Sequence, residues 1–138
     1  MERGYDGDAM NIITDLQILY ALIGTAYNIF SIVRVRLGRA PLSATNPNFG
    51  LVVMAVVAAI TLTQPYFDGW IYLLGWAGLV VMLARGPVTA HFKAISQGKS
   101  IEQYSSPQAA WLAFLINLFG LIMGCIGIVV TTAPLAAQ

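Results

Sequence analysis

From Ala109 to Thr132 no residue carries a charge, and the run is long enough to cross a bilayer core of about 30 Å at about 1.5 Å per helical residue. Such a stretch is either a helix buried in a large protein or a membrane span. The 138 residues decide for the membrane, because 58% are hydrophobic and only 9% charged, against about 25% charged in a soluble globular domain. The length allows a single domain, residues 1–138, and a bundle of four helices would use nearly all of it.

Four spans are predicted, at about 12–35, 48–64, 69–84 and 108–132. The first is apolar with scattered polar residues, and Thr14 followed by Gln17 has the spacing of a capping box with Asp15 in the first turn. Asn46-Pro47 supplies a cap and a first-turn proline for the second, and Gln64 to Gly69 reads as a turn. The third, Trp70 to Ala84, covers only about 22 Å, which predicts a thinned bilayer or a protein neighbour. A re-entrant hairpin over 49–84 is the alternative. Arg85-Gly86-Pro87 is expected to end the third helix. A short interfacial helix at about 87–97 follows, with Val88, Phe92 and Ile95 on its apolar face and Gly98 as its cap. Ser106-Pro107 then opens the last span. The fold class is an all-α integral membrane protein, a four-helix transmembrane bundle.

Arg34, Arg36 and Arg39 fall in the first connection and Arg85, Lys93 and Lys99 in the third, so six of the seven basic residues lie on one side. The positive-inside rule makes those connections cytoplasmic and places both termini outside, with Glu2, Asp6, Asp8 and Asp68. The expected location is a membrane, the bacterial cytoplasmic membrane in particular. Tyr66, Trp70 and Tyr72 would form an outer aromatic belt and Trp111 an inner anchor. The acidic N-terminus does not read as a signal peptide. Within the basic connections, Arg39-Ala-Pro41-Leu-Ser-Ala44 recurs in kind as Arg85-Gly-Pro87-Val-Thr-Ala90. Two tandem parallel-repeat hairpins, or a shared way of leaving a helix, would each produce that echo.

Small residues recur at packing intervals: Gly24 on helix one, Ala55 and Ala59 on helix two, Gly75 and Gly78 on helix three, Gly120 and Gly124 on the last. Lipid gives helices no hydrophobic reason to associate, so close approach at small residues must supply the contacts. Gln17, Tyr20, Gly24, Tyr27 and Ser31 on the first helix, and Ala113, Asn117, Gly120, Gly124, Gly127 and Thr131 on the last, form stripes expected to face protein. Asn28 and Asn117 lie deep enough to need partners across an interface. With Tyr20 and Tyr27 they form the candidate polar site.

His91 is the only histidine and Cys125 the only cysteine, so the chain alone builds neither a bis-histidine haem site nor a multi-histidine metal centre, and no cofactor is expected. No phosphate loop precedes a helix and no carboxylates pair within a span, which disfavours an enzyme. Arg34, Arg36, Arg39, Arg85 and Lys93 could gather anionic lipid headgroups, and nucleic acid is not indicated. The function read from these features is a non-catalytic accessory or structural subunit of a larger membrane complex, a hetero-oligomer packed through its helices and lipids. The alternative is a small homo-oligomeric transporter or channel with its site between the first and last spans.

Overall fold

In the computed structural model, which describes residues 3–136, every regular element among the described residues is helical. Glu2 and the end of the C-terminal tail lie outside them. The first helix, α1 (Arg3–Arg36), starts well before Ile12. Thr14 is therefore interior, and its hydroxyl donates to the carbonyls of Met10 at 3.2 Å and Asn11 at 2.8 Å. No capping box forms there, because the chain upstream is already helical and Gln17 bonds to other helices instead. α1 ends in a Schellman turn: Gly38 takes φ +71°, its N–H donates to Val35 O at 3.0 Å, and Arg39 N–H donates to Arg34 O at 2.9 Å.

α2 (Pro47–Leu62) carries its proline in the first turn, and Asn46 Oδ1 accepts the Asn48 N–H at 2.9 Å. A 3₁₀ turn, Phe67–Gly69, leads into α3 (Trp70–Leu83). Arg85-Gly86-Pro87 does not end this helix. The backbone widens into a π turn, Ala84–Val88, and continues as α4 (Thr89–Gln97), making one helix of 28 residues from Trp70 to Gln97. Pro87 has no N–H to donate, and the wider turn accommodates its ring while Thr89 Oγ1 donates to Ala84 O at 2.6 Å. The whole helix is about 42 Å long at about 1.5 Å per residue, so the shortfall expected along helix three disappears. The short apolar helix is α2, with 16 residues.

The two echoing sextets therefore fold differently, since Arg39–Ala44 lies outside a helix and Arg85–Ala90 inside one. The residue before each explains why. Gly38 reaches the left-handed region that stops a helix, whereas Ala84 in the equivalent place stays right-handed. The echo is not a shared helix exit, and the tandem-hairpin reading loses the local likeness on which it rested. After Gly98, in the left-handed region, the chain crosses to α5 (Pro107–Ala136), where Ser106 Oγ accepts the Ala109 N–H at 3.1 Å.

The helices pack in the cycle α1–α2–α3–α5–α1. Gln17, Ser31, Thr61 and His91 are buried, while Leu22, Val52, Leu74 and Val129 are each more than half exposed. The outside thus carries many large aliphatic side chains, while a mainly apolar core holds a few polar ones. Three helices, Asp8–Arg36, Trp70–Gln97 and Pro107–Ala133, are long and apolar enough to cross a membrane.

A layer of hydrogen bonds crosses the bundle. Gln17 Nε2 donates to Tyr72 Oη at 2.8 Å and to Met123 O at 3.1 Å, joining α1, α3 and α5. Trp76 Nε1 donates to Thr61 Oγ1 at 3.2 Å, joining α3 to α2. Tyr72 thus belongs to the core and not to an aromatic belt, whereas Tyr66 and Trp70 are exposed.

Candidate functional site

Above that layer, at the end of the bundle that carries the first connection, the helices line a partly open cavity of about 250 Å³. α1 lines it with Gly24, Tyr27 and Asn28, α2 with Phe49, Gly50 and Val53, and α5 with Ala113, Ile116 and Asn117. The π turn contributes Gly86 and Pro87, and α4 contributes His91. π turns are frequent at functional sites because they re-aim the side chains that follow. No charged side chain among the described residues lines this cavity.

The first connection forms the roof. Ser31 Oγ accepts the Leu42 N–H at 3.0 Å and Arg34 Nε donates to Ala40 O at 3.1 Å, which folds the connection back over α1. Ser43, in hydroxyl contact with Thr45 at 2.8 Å, lies over the cavity with Thr45 and Asn46. The same three residues line an outer cleft of about 700 Å³ bordered by Arg36, Glu102 and Gln103. They are therefore the wall between the cavity and the outside.

Tyr27, Asn28, His91 and Asn117 each make one hydrogen bond within the chain. Asn28 Nδ2 donates to Gly24 O at 2.7 Å and Asn117 Nδ2 to Ala113 O at 2.8 Å, each four residues back along its own helix. The cross-interface partners expected for these amides are not formed, because the local carbonyl is nearer. Tyr27 Oη donates to Ala109 O at 3.3 Å. His91 Nδ1 lies 2.6 Å from Tyr104 Oη, and burial pushes the Tyr104 phenol above its ordinary pKa, keeping it neutral.

Of the candidate polar residues, Tyr27, Asn28 and Asn117 meet in this cavity, and Tyr20 does not. The Tyr20 ring lies beneath Gly120, edge-on to Phe119, and its hydroxyl is buried without a hydrogen-bond partner. His91 was missed as a lining residue because Val88, Phe92 and Ile95 read as the apolar face of α4. The buried residues there are His91 and Ala94, and Phe92 is exposed. Tyr104 engages one ring nitrogen of the imidazole, which the spacing of α4 alone does not show. Gly50 was also missed, and Asn28 rests directly on it.

The small residues fall into two groups. Met54 covers Gly24, Ile60 meets Gly75, the Tyr20 ring covers Gly120, and Trp76 with Val80 covers Gly124. Gly120 and Gly124 therefore receive side chains from two different helices and do not bring two backbones together. A Cβ at Gly78 would meet nothing within 4 Å, and Ala55 and Ala59 are exposed. Arg36, Arg39, Arg85 and Lys93 are exposed, while Arg34 is half-buried.

No protein-family model, curated protein or solved structure matches the chain. Among the described residues no three His, Cys, Asp or Glu side chains gather to hold a metal ion.

Proposed function

We propose that the protein is a four-span membrane protein that binds a small uncharged molecule in the cavity between α1 and α5, as the substrate site of a small transporter. The observation that carries this is the meeting of Tyr27, Asn28, Asn117 and His91 around one space with otherwise apolar walls. A few placed polar groups in an apolar pocket orient a ligand without the cost of burying a charge. The cavity adjoins the outer cleft through Ser43, Thr45 and Asn46, while the Gln17–Tyr72 and Trp76–Thr61 layer lies across the bundle toward the opposite end. Loading is thus from the basic end, which the positive-inside rule makes cytoplasmic.

The test is fluorine NMR of 5-fluoroindole, 4-fluorophenol and 4-fluoroanisole with the protein in nanodiscs, empty nanodiscs reporting partition into lipid. Saturable binding of any of them, abolished in Gly86→Leu, is expected. Gly86 lines the cavity and a Cβ there meets nothing within 4 Å, so the substitution adds bulk at the rim without a clash inside the chain. Signals equal to those of empty nanodiscs for all three would refute the reading.

A second reading, the accessory subunit of a larger complex, is favoured by one observation: Ala55, Ala59 and Gly78 face outward, free for a neighbouring helix. Native mass spectrometry of the solubilised protein separates the two readings, since stoichiometric co-purified subunits would support this one.

A further inference from the structure

His91 stands apart from the other polar residues at the inner end of the cavity. Tyr27, Asn28 and Asn117 are half-buried, whereas His91 is 1% exposed. Its Nδ1 lies 2.6 Å from Tyr104 Oη, and its other ring nitrogen, Nε2, has no partner among the described residues. Nε2 is nevertheless not sealed in, since among those residues the side-chain polar atom that is both buried and unpaired is Tyr20 Oη. The two imidazole nitrogens point away from each other. With Nδ1 held toward Tyr104, the free Nε2 therefore opens on the cavity that the ring lines.

The same hydrogen bond sets which nitrogen carries the hydrogen. Tyr104 is 7% exposed, in the connection between α4 and α5, and its hydroxyl has no partner besides His91 among the described residues. If Nδ1–H donated to the phenol oxygen, the phenol hydrogen itself would be buried unpaired. Donation from Oη to Nδ1 pairs both groups and leaves the imidazole hydrogen on Nε2. Tyr104 is well placed to hold the ring. It packs with Ala94, Ala110 and Ala113, and it stands edge-on to the imidazole at 73° with the ring centroids 5.7 Å apart.

We infer that His91 contacts the bound molecule through Nε2–H, and that Tyr104, which does not line the cavity, is the positioning residue that fixes the tautomer and aims the ring. This rests on the binding reading above and adds which side chain the occupant has to satisfy. An N–H on a buried ring is costly to leave unpaired, and the cavity is the space in which this one can find a partner.

His91 is the only histidine, so protein labelled with nitrogen-15 histidine gives a single imidazole spectrum. In nanodiscs without ligand, couplings to the ring hydrogens should place the hydrogen on Nε2 and show Nδ1 as an acceptor. In Tyr104→Phe the hydrogen should be shared between the two nitrogens, whereas a tyrosine that only packs the connection would leave the tautomer unchanged. Titration with 5-fluoroindole, 4-fluorophenol and 4-fluoroanisole should move the Nε2 signal with the same midpoint as the fluorine signal of whichever probe binds. Tyr104→Phe should raise that midpoint about two- to tenfold, the worth of one hydrogen bond. A hydrogen on Nδ1 in the unsubstituted protein would overturn the positioning role. Fluorine-detected binding that leaves Nε2 unmoved would overturn the contact, assigning Nε2 to water, while leaving the cavity reading intact. If no probe binds, the cavity reading and the contact fall together. Should Tyr104→Phe fail to fold, the spectra of the unsubstituted protein still decide both points.

Discussion

The side-chain amide of Gln17 and the phenol of Tyr72, 55 residues apart in the chain, meet at 2.8 Å between α1 and α3, and both residues are fully buried. Gly127 of α5 makes room for them: a side chain there would run into the Tyr72 hydroxyl and the Gln17 amide. Tyr20, as deeply buried, has no such partner for its hydroxyl.

The same substitution should therefore act with opposite sign at the two tyrosines. Tyr72→Phe leaves the Gln17 amide with one partner fewer and is expected to cost about 0.6 to 2 kcal/mol, the range for hydrogen bonds between membrane helices. Tyr20→Phe removes an unpaired polar atom and is expected to be neutral or to stabilise by about 1 kcal/mol. Thermal unfolding in one detergent compares them, and equal losses would show that Tyr20 does have a partner.

Glycines should sort by what covers them rather than by spacing. Gly124→Leu drives a branched side chain into Trp76 and Val80, and Gly75→Leu drives one into Ile60, each at a cost of about 1 to 3 kcal/mol or more. Gly78→Leu meets open space and Ile126→Leu is on a partly exposed face, so both should be mild. A stability ranking that put Gly78→Leu with Gly75→Leu would mean that a neighbour covers Gly78.

The hydroxyl of Thr89 should matter only while the π turn exists. Thr89→Val removes the side-chain hydrogen bond to Ala84 O and is expected to cost about 1 kcal/mol. Pro87→Ala restores a backbone N–H and lets the turn tighten to an α-helix, so the valine should then cost little. A double-mutant cycle measures this coupling, and additive effects would disprove it.

Orientation is tested with single cysteines in a Cys125→Ala background, since Cys125 is itself exposed. Ala40→Cys and Gln97→Cys, at exposed positions near the basic residues, should be shielded from an impermeant thiol reagent in intact cells. Tyr66→Cys, exposed between α2 and α3, should react. The reverse labelling would invert the topology.

The caps at Asn46 and Ser106 were legible because each is a contact between near neighbours in the chain, written in adjacent residues. The inward stripe of α1 was legible as well, since periodicity places Gln17, Tyr20, Gly24 and Ser31 on one buried face. The continuity of α3 into α4 was not legible. Proline argued for a break, and the π turn with the Thr89 hydroxyl on Ala84 O, which carries the helix through, forms only in the folded backbone.

By itself, the sequence determined that the chain is helical, that several helices are apolar enough for a membrane, and where most of them begin, because hydropathy and capping act over a few residues. Only the tertiary structure decided which glycines are covered, that Asn28 and Asn117 line a common cavity, and that His91 joins them. Those outcomes depend on contacts between residues far apart in the chain. The nearest candidate partner of each amide was its own helix, and the space between α1 and α5 is completed by Gly50, Gly86, Pro87 and His91 from elements distant in the sequence.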